Sequence, residues 1–111
     1  MKLKITFTTV ALALLSSAAV AQTEFTGSVE IRSIETLSGS EQTFIRSSGG
    51  GWGHPNCAAA EFVNLSPNST ESYTEQLAIA LTARAAGITV TARGDCSPNG
   101  QVVVAERLRL D

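Results

Sequence analysis

The chain has 111 residues, 43% of them hydrophobic, and its formal net charge at pH 7 is −2. That length gives room for one domain and not for two. The acidic balance disfavours nucleic acid and anionic membrane surfaces as partners, because both reward clustered positive charge.

The first 21 residues have the three parts of a secretory signal peptide. Lys2 and Lys4 supply positive charge, residues 5–15 are mostly apolar, and Ala19-Val20-Ala21 is an A-x-A cleavage site. The alternative is a membrane anchor, but a span needs about 20 apolar residues. We therefore predict a signal peptide over residues 1–21, a single domain over residues 22–111 that begins with Gln22, and a secreted or periplasmic protein without a membrane span.

The two cysteines of the sequence, Cys57 and Cys96, both fall in the mature domain. In an oxidising compartment two cysteines usually pair. A disulfide closing a loop of this length contributes about 4 kcal/mol in the chain-entropy model. The alternatives are a metal pair and a reactive thiol, although with His54 the two cysteines make an incomplete zinc set. We predict a disulfide, no metal and no other cofactor.

The strand-like runs cover residues 25–34, 42–47, 57–65, 88–93 and 101–110. In the first run, apolar residues alternate with polar ones up to Ile31, and Ile34 then falls on the other parity. A slip of this kind indicates a β-bulge or strong coiling. In the last run, we expect Val102, Val104, Leu108 and Leu110 to share a face.

One helix is predicted between the third and fourth strands. Ser72 and Glu75 fit a capping box, apolar residues follow from Tyr73 at helical spacing, and Gly87 stands where a C-cap glycine belongs. Residues 97–100, Ser-Pro-Asn-Gly, predict the turn between the last two strands. The order β-β-β-α-β-β is that of an OB-fold, a five-stranded barrel, so the predicted fold is mostly β with one helix.

The sequence carries no pattern typical of catalysis. The one histidine, His54, lies in the glycine-rich loop of residues 47–55 without a G-x-S-x-G elbow. We interpret it as a solvated loop residue and predict that the protein is not an enzyme. The same loop holds Trp52, the only tryptophan. This side chain either projects to stack on a ligand or folds back as a lid over the end of the barrel.

Four segments together resemble a known group of proteins: FTGSV at residues 25–29, the cysteine before the third strand, LAIALTA at residues 77–83, and GITV at residues 87–90. They are similar to small secreted OB-fold proteins related to the B subunits of subtilase cytotoxin and of typhoid- and pertussis-like toxins. The resemblance covers nearly all of the mature chain. It implies ring pentamers, an intrachain disulfide that maps onto Cys57 and Cys96, and binding of sialylated glycans.

The resemblance also points to one residue of the sugar site. A hydroxyl residue before the glycine of the first strand contributes to that site, and Thr26 before Gly27 matches it. An aromatic residue in the strand after the helix is expected as well, and residues 91–93 are Thr-Ala-Arg instead.

We accordingly expect a secreted, non-enzymatic binding module that recognises a glycan through Thr26 and Trp52, with a homo-oligomeric ring implied by the resemblance. The alternative is a periplasmic or envelope partner of another exported protein, such as an inhibitor or an assembly factor, without sugar binding.

Overall fold

A computed structural model describes residues 24–37, 39 and 41–111. The predicted signal peptide, residues 1–21, lies outside the described residues, as does Gln22. The elements in chain order are β1 (Glu24–Phe25), β2 (Ile31–Leu37), β3 (Gln42–Ser47), β4 (Phe62–Leu65), α1 (Tyr73–Ala86), β5 (Val90–Cys96) and β6 (Val102–Leu110).

Within residues 24–37, 39 and 41–111, the predicted mostly β architecture with a single helix is confirmed. This part of the chain has six strands instead of five, because the predicted first strand is divided into β1 and β2. The predicted third strand is shorter than expected, since residues 57–60 form a turn in which Ala60 N–H donates to Cys57 O at 3.0 Å. Among the described residues, no helix is long and apolar enough to cross a membrane.

The six strands form one sheet in the order β1-β5-β6-β4-β3-β2. All neighbouring strands are antiparallel except β4 and β6, which are parallel. The segment of residues 24–37 pairs at both ends of this order: β1 pairs with β5, Val29 bridges to Val90, and β2 pairs with β3. One continuous piece of chain thus contacts two strands that are far apart in the sheet order.

Two register shifts bend the sheet. The first lies in β2, between Ile31 and Ser33, and confirms the slip predicted from the parity change before Ile34. The second lies between β5 and β6, where Arg93 pairs with Arg107 but Gly94 pairs with Ala105. The residue left out of this pairing is Glu106, which is therefore the bulged residue of β6.

The second shift corrects the predicted face of the last strand. The buried residues of β6 are Val103, Ala105 and Leu108, whereas Leu110 is exposed. Residues 102–105 are all apolar, so the even-numbered and the odd-numbered residues of this run were equally suited to the core, and the sequence did not show which set is buried. Glu106 then moves the buried positions from odd to even numbers.

The core lies between the inner face of the sheet and one side of α1. Its buried hydrophobic residues are Ile31, Ile45, Trp52, Ala60, Val63, Leu65, Ala80, Ala83, Val90, Ala92, Val103, Ala105 and Leu108. Two polar contacts hold the helix on the sheet: Tyr73 Oη lies 2.8 Å from Thr43 Oγ1, and Leu108 N–H donates to Gln76 Oε1 at 2.6 Å.

The ends of the helix fit the sequence prediction unequally. Gly87 ends α1 in the left-handed region, with φ 70°, and its N–H donates to Ala83 O, so the predicted C-cap is confirmed. The predicted capping box is wrong. Ser72 precedes the helix with φ 49° and ψ 58° and makes no side-chain cap hydrogen bond, because this backbone conformation differs from the extended one that directs an N-cap side chain at the first turn.

Candidate binding surface

Thr26, predicted to contact a sugar, follows β1 and lies almost entirely inside the protein. It is 7% exposed. Its Oγ1 accepts from Ala92 N–H at 3.0 Å and donates to Gly27 O at 2.8 Å. The only hydrogen of this hydroxyl is therefore already used, which leaves one lone pair for any further partner. The side chain mainly joins the first strand to β5.

Trp52 is fully buried, and its Nε1–H donates to Ile45 O at 3.2 Å. The hypothesis that it projects from its loop to stack on a ligand is wrong, because no part of the side chain is exposed. Of the alternative, a lid folded back over the end of the barrel, the structure confirms that the side chain folds back into the core. Trp52 and Thr26 are nevertheless close in space, since Gly27 N–H donates to Trp52 O at 2.9 Å.

His54 is also fully buried, which corrects its interpretation as a solvated loop residue. Its Nδ1 accepts from Asn56 N–H at 3.0 Å, and its Nε2 lies 2.8 Å from Gly94 O. These partners assign the ring hydrogen to Nε2. Both nitrogens are engaged, so the ring in this state offers no free site for proton transfer to a substrate.

The predicted disulfide between Cys57 and Cys96 is confirmed, and the two Cα atoms are 6.1 Å apart. Cys57 is held by a tight turn, in which its N–H donates to His54 O at 3.1 Å. Cys96 is the last residue of β5. The bridge therefore ties the glycine-rich loop to the end of the strand that follows the helix.

Phe44, Arg46, Glu61 and Phe62 contact one another on β3 and at the start of β4, and we name them the β3–β4 surface. Residues on β3 alternate strictly, with Thr43, Ile45 and Ser47 buried and the intervening residues facing outward. Arg46 pairs directly with Phe62 across the two strands.

The side chains of the β3–β4 surface contact one another in a fixed arrangement. The Phe44 and Phe62 rings meet edge to face, with centroids 6.1 Å apart. The Arg46 guanidinium lies 4.7 Å from the Phe62 ring centroid and 3.8 Å from the Glu61 carboxylate. An aromatic ring, a cation and a carboxylate thus share one half-exposed patch. Such edge-to-face and cation–π contacts hold the rings in defined orientations.

A shallow pocket of about 270 Å³ opens beside this surface. Its lining residues are Ala59, Glu61, Phe62, Gly100 and Gln101. The parallel pairing of β4 with β6 sets Phe62 opposite Val102, which brings the turn before β6 next to the aromatic ring. Two backbone hydrogen bonds close this turn: Gly100 N–H donates to Ser97 O at 2.9 Å, and Ser97 N–H donates to Val102 O at 2.8 Å.

A pocket of this composition has the parts that recognise a small polar ring. One wall is the apolar face or edge of an aromatic side chain, and the others carry a carboxylate and an amide. The sequence predicted strands over residues 42–47 and 57–65 but did not assign Phe44 or Phe62 to an outward face. An apolar residue follows each phenylalanine, Ile45 and Val63, so the pattern alone did not show which of the two faces the core.

A second aromatic residue, Phe25, lies on β1 and is 43% exposed. The guanidinium of Arg109 is 5.0 Å from its ring centroid and that of Arg93 is 5.9 Å away. Each arginine also has an acidic partner, Glu106 for Arg93 and Asp111 for Arg109. The positive charges beside the ring are therefore compensated, and Phe25 does not line the pocket beside the β3–β4 surface.

The Asp111 carboxylate accepts three hydrogen bonds at this edge of the sheet. The Ser28 hydroxyl donates to its Oδ2, the Thr91 hydroxyl donates to the same atom at 2.8 Å, and Arg109 Nε–H donates to Oδ1 at 3.3 Å. The bond from Ser28 is the largest cause of the change and lowers the pKa of Asp111. Loss of hydration is the next largest and raises it, and Thr91 and Arg109 lower it further.

The middle of the outward side of α1 is uncharged, and the exposed charged residues Glu75 and Arg84 lie in its first and last turns. Leu81 is 52% exposed, and Ala78, Thr82 and Ala85 beside it are exposed as well. Small side chains around one leucine allow another backbone to approach closely. The buried side of the same helix carries Ala80 and Ala83.

No family model matches the chain, and comparisons with curated proteins and with solved structures give no match. The resemblance to toxin B subunits therefore stays a prediction based on the short segments of the first strand, the helix and the strand after it.

Proposed function

We propose that the protein is an exported, non-enzymatic binding module and that its ligand is a carbohydrate held at the β3–β4 surface. The observation that carries the proposal is the pocket between the Phe62 ring and the turn before β6, with Glu61 and Gln101 as its polar walls. The C–H face of a sugar ring packs on an aromatic side chain, and its hydroxyls bond to carboxylate, amide and guanidinium groups.

The proposed fold is the OB-fold barrel. Its support is the double pairing of residues 24–37, with β5 through β1 and with β3 through β2. The helix between β4 and β5 and the parallel contact of β4 with β6 are further support. In the OB-fold the second and third strands and the loop between the last two strands bind oligosaccharides and oligonucleotides, and the β3–β4 surface with its pocket occupies the corresponding position.

Export to the periplasm or the cell exterior is proposed from two features. The signal-like residues 1–21 would direct the chain across one membrane. The disulfide between Cys57 and Cys96 is a covalent link that persists in oxidising compartments and is rare in the cytosol.

A ring of identical subunits, as the resemblance implies, would use the outward side of α1. On this surface Leu81 is exposed among small residues. Because few charged side chains lie there, little charge would lose its hydration when two subunits associate. The same surface is the specific feature that favours the second candidate function, a module that binds another exported protein. The two functions differ at the β3–β4 surface: the carbohydrate-binding module holds a sugar there, whereas the protein-binding module has no ligand at this surface.

The test is a glycan-array screen of the oxidised domain, residues 22–111, followed by affinity measurements with the best sugar. Phe62→Ala and Gln101→Ala should each weaken binding at least about tenfold, because each removes one wall of the pocket. Phe25→Ala is the matched control, since it removes an exposed phenylalanine that has an arginine on its ring but does not line this pocket. It should bind like the unaltered domain.

Two results would contradict the proposal. One is a blank array from a domain with native circular dichroism, which would favour the protein-binding function. The other is binding that Phe25→Ala weakens as much as Phe62→Ala. A Thr26→Val variant belongs in the same series: lost binding with an intact fold would instead assign the sugar site to the first strand, as the resemblance implies.

A further inference from the structure

Three metal-binding side chains meet at the base of the glycine-rich loop. Ligand atoms of His54, Cys57 and Cys96 all lie within 4.8 Å of one another. His54 Nδ1 is 3.4 Å from Cys96 Sγ. In the oxidised protein the two sulfurs are bonded to each other, so neither is a thiolate ligand. We infer that reduction of the disulfide creates a Cys₂His site that binds a thiophilic metal ion, Zn²⁺.

The positions of the three ligands do not depend on the disulfide alone. A tight turn joins His54 to Cys57 through the Cys57 N–H···O=C bond, and the pairing of β5 with β6 positions Cys96 opposite Val103. Since these are backbone hydrogen bonds, they hold the ligands near one another after the S–S bond is broken. A Cα–Cα distance of 6.1 Å leaves the two sulfurs free to separate by side-chain rotation.

His54 is also in the tautomer that a metal requires. Its Nε2–H donates to Gly94 O at 2.8 Å, which leaves the lone pair of Nδ1 on the side of Cys96 Sγ. A ligating histidine almost always donates its other ring N–H to a carbonyl or carboxylate in this way. Nδ1 now accepts from Asn56 N–H, and Asn56 is exposed, so water can replace the ring as the partner of that N–H.

A dithiol is the reductant for the disulfide. The dithiol gives two electrons and two protons to the Cys57–Cys96 bond and becomes a disulfide itself. Zn²⁺ then displaces one proton from each thiol and accepts the Nδ1 lone pair. Thiolate and imidazole are ligands that zinc prefers, and three protein ligands leave the fourth tetrahedral position to water. The proposed site thus departs from the sequence prediction of no metal, and it exists only when the disulfide is reduced, because the sulfurs of the oxidised chain are unavailable as thiolates.

The experiment compares the same protein in two redox states. The domain is titrated with Zn²⁺ against a chromophoric chelator, once oxidised and once after reduction and removal of the reductant under anaerobic conditions. We expect one ion per reduced chain and at least 100-fold weaker binding by the oxidised chain. Co²⁺ in place of Zn²⁺ should give a thiolate charge-transfer band in the reduced protein only.

The role of the histidine is tested separately. His54→Gln should weaken Zn²⁺ binding by the reduced chain at least tenfold. Because a buried substitution can disturb the fold, the nitrogen NMR signal of the ring is a second measurement, and it is unambiguous since His54 is the only histidine. Nδ1 should shift on addition of Zn²⁺ to the reduced protein and stay unchanged in the oxidised protein.

Three outcomes would overturn the inference: equal Zn²⁺ affinity in both redox states, no binding by the reduced chain, or binding without a shift of the Nδ1 signal. If the reduced chain unfolds without metal, recovery of native circular dichroism on addition of one equivalent of Zn²⁺ supports the site. Failure to recover counts against it.

Discussion

His54 Nε2 lies 2.8 Å from the carbonyl oxygen of Gly94, although 40 residues separate the two in the chain. The contact joins the glycine-rich loop to β5 at the position where β5 meets the bulge of β6. Gly94 therefore has two tasks: its carbonyl orients the histidine, and its lack of a side chain lets the bulged strand come close.

Gly94→Ala should destabilise the domain by about 2–3 kcal/mol. A Cβ at this position would lie 2.7 Å from Ala105 Cα and closer still to Val104 O, and both are backbone atoms that cannot turn away. Urea unfolding measures the loss. Gly49→Ala is the matched control, because its Cβ would meet nothing nearer than Ser47 Oγ at 3.9 Å. Equal stabilities of the two variants would show that the strands can separate without cost.

Trp52→Ala should cost about 3–5 kcal/mol, the usual range for removing a fully buried large side chain. Trp52→Phe should cost less, since it keeps an aromatic ring but loses the hydrogen bond to Ile45 O. Because Trp52 is the only tryptophan, native fluorescence should be blue-shifted and resistant to acrylamide, and unfolding should shift it to the red. Efficient quenching of the native protein would contradict the buried position.

Ser72→Gly should stabilise the domain by about 1 kcal/mol, because Ser72 has φ 49° and glycine adopts this left-handed conformation without steric cost. A serine acting as a capping-box residue would behave in the opposite way, and its replacement by glycine would lose a few tenths of a kcal/mol. Thermal unfolding distinguishes the two signs. Glu41→Gly, at φ 54°, is the companion variant and should also gain stability.

Ser28→Ala should raise the pKa of Asp111 towards the ordinary aspartate value of 3.8, since the Ser28 hydrogen bond is the main cause that lowers it. A carboxyl whose pKa is lower in the folded state stabilises that state above its ordinary pKa. This contribution is lost as the pH falls through the folded pKa. An NMR titration of the Asp111 carboxyl carbon measures the shift directly. Ser97→Ala, on the remote turn, should leave the titration unchanged.

The sequence predicted the parts of the fold that depend on local patterns. Residues 42–47 form the predicted strand, Gly87 ends a helical pattern, and the parity change near Ile34 marks a real register shift. The predicted buried face of β6 was wrong because of the bulge at Glu106, and the position of this bulge depends on the pairing with the partner strand. No pattern within residues 102–110 contains that information.

The candidate site was harder to predict for a related reason. Glycine-rich sequence around Trp52 and His54 indicates an exposed loop, yet their partners, Ile45 O and Gly94 O, are backbone atoms of two strands. Backbone acceptors carry no residue-type signal. The half-exposed pair Phe44 and Phe62 was not predicted either, since an apolar residue follows each of them and the sequence does not show which of the two faces outward.

The double pairing of residues 24–37 also sets the order in which the domain can fold. Val29 bridges to Val90, so the first strand has no partner on that side until most of the chain is available. Contacts this far apart in sequence make folding slow. A chain threaded through a membrane from its N-terminus would therefore stay open until β5 has emerged, and the cysteine that ends β5 would reach its partner only at that late stage.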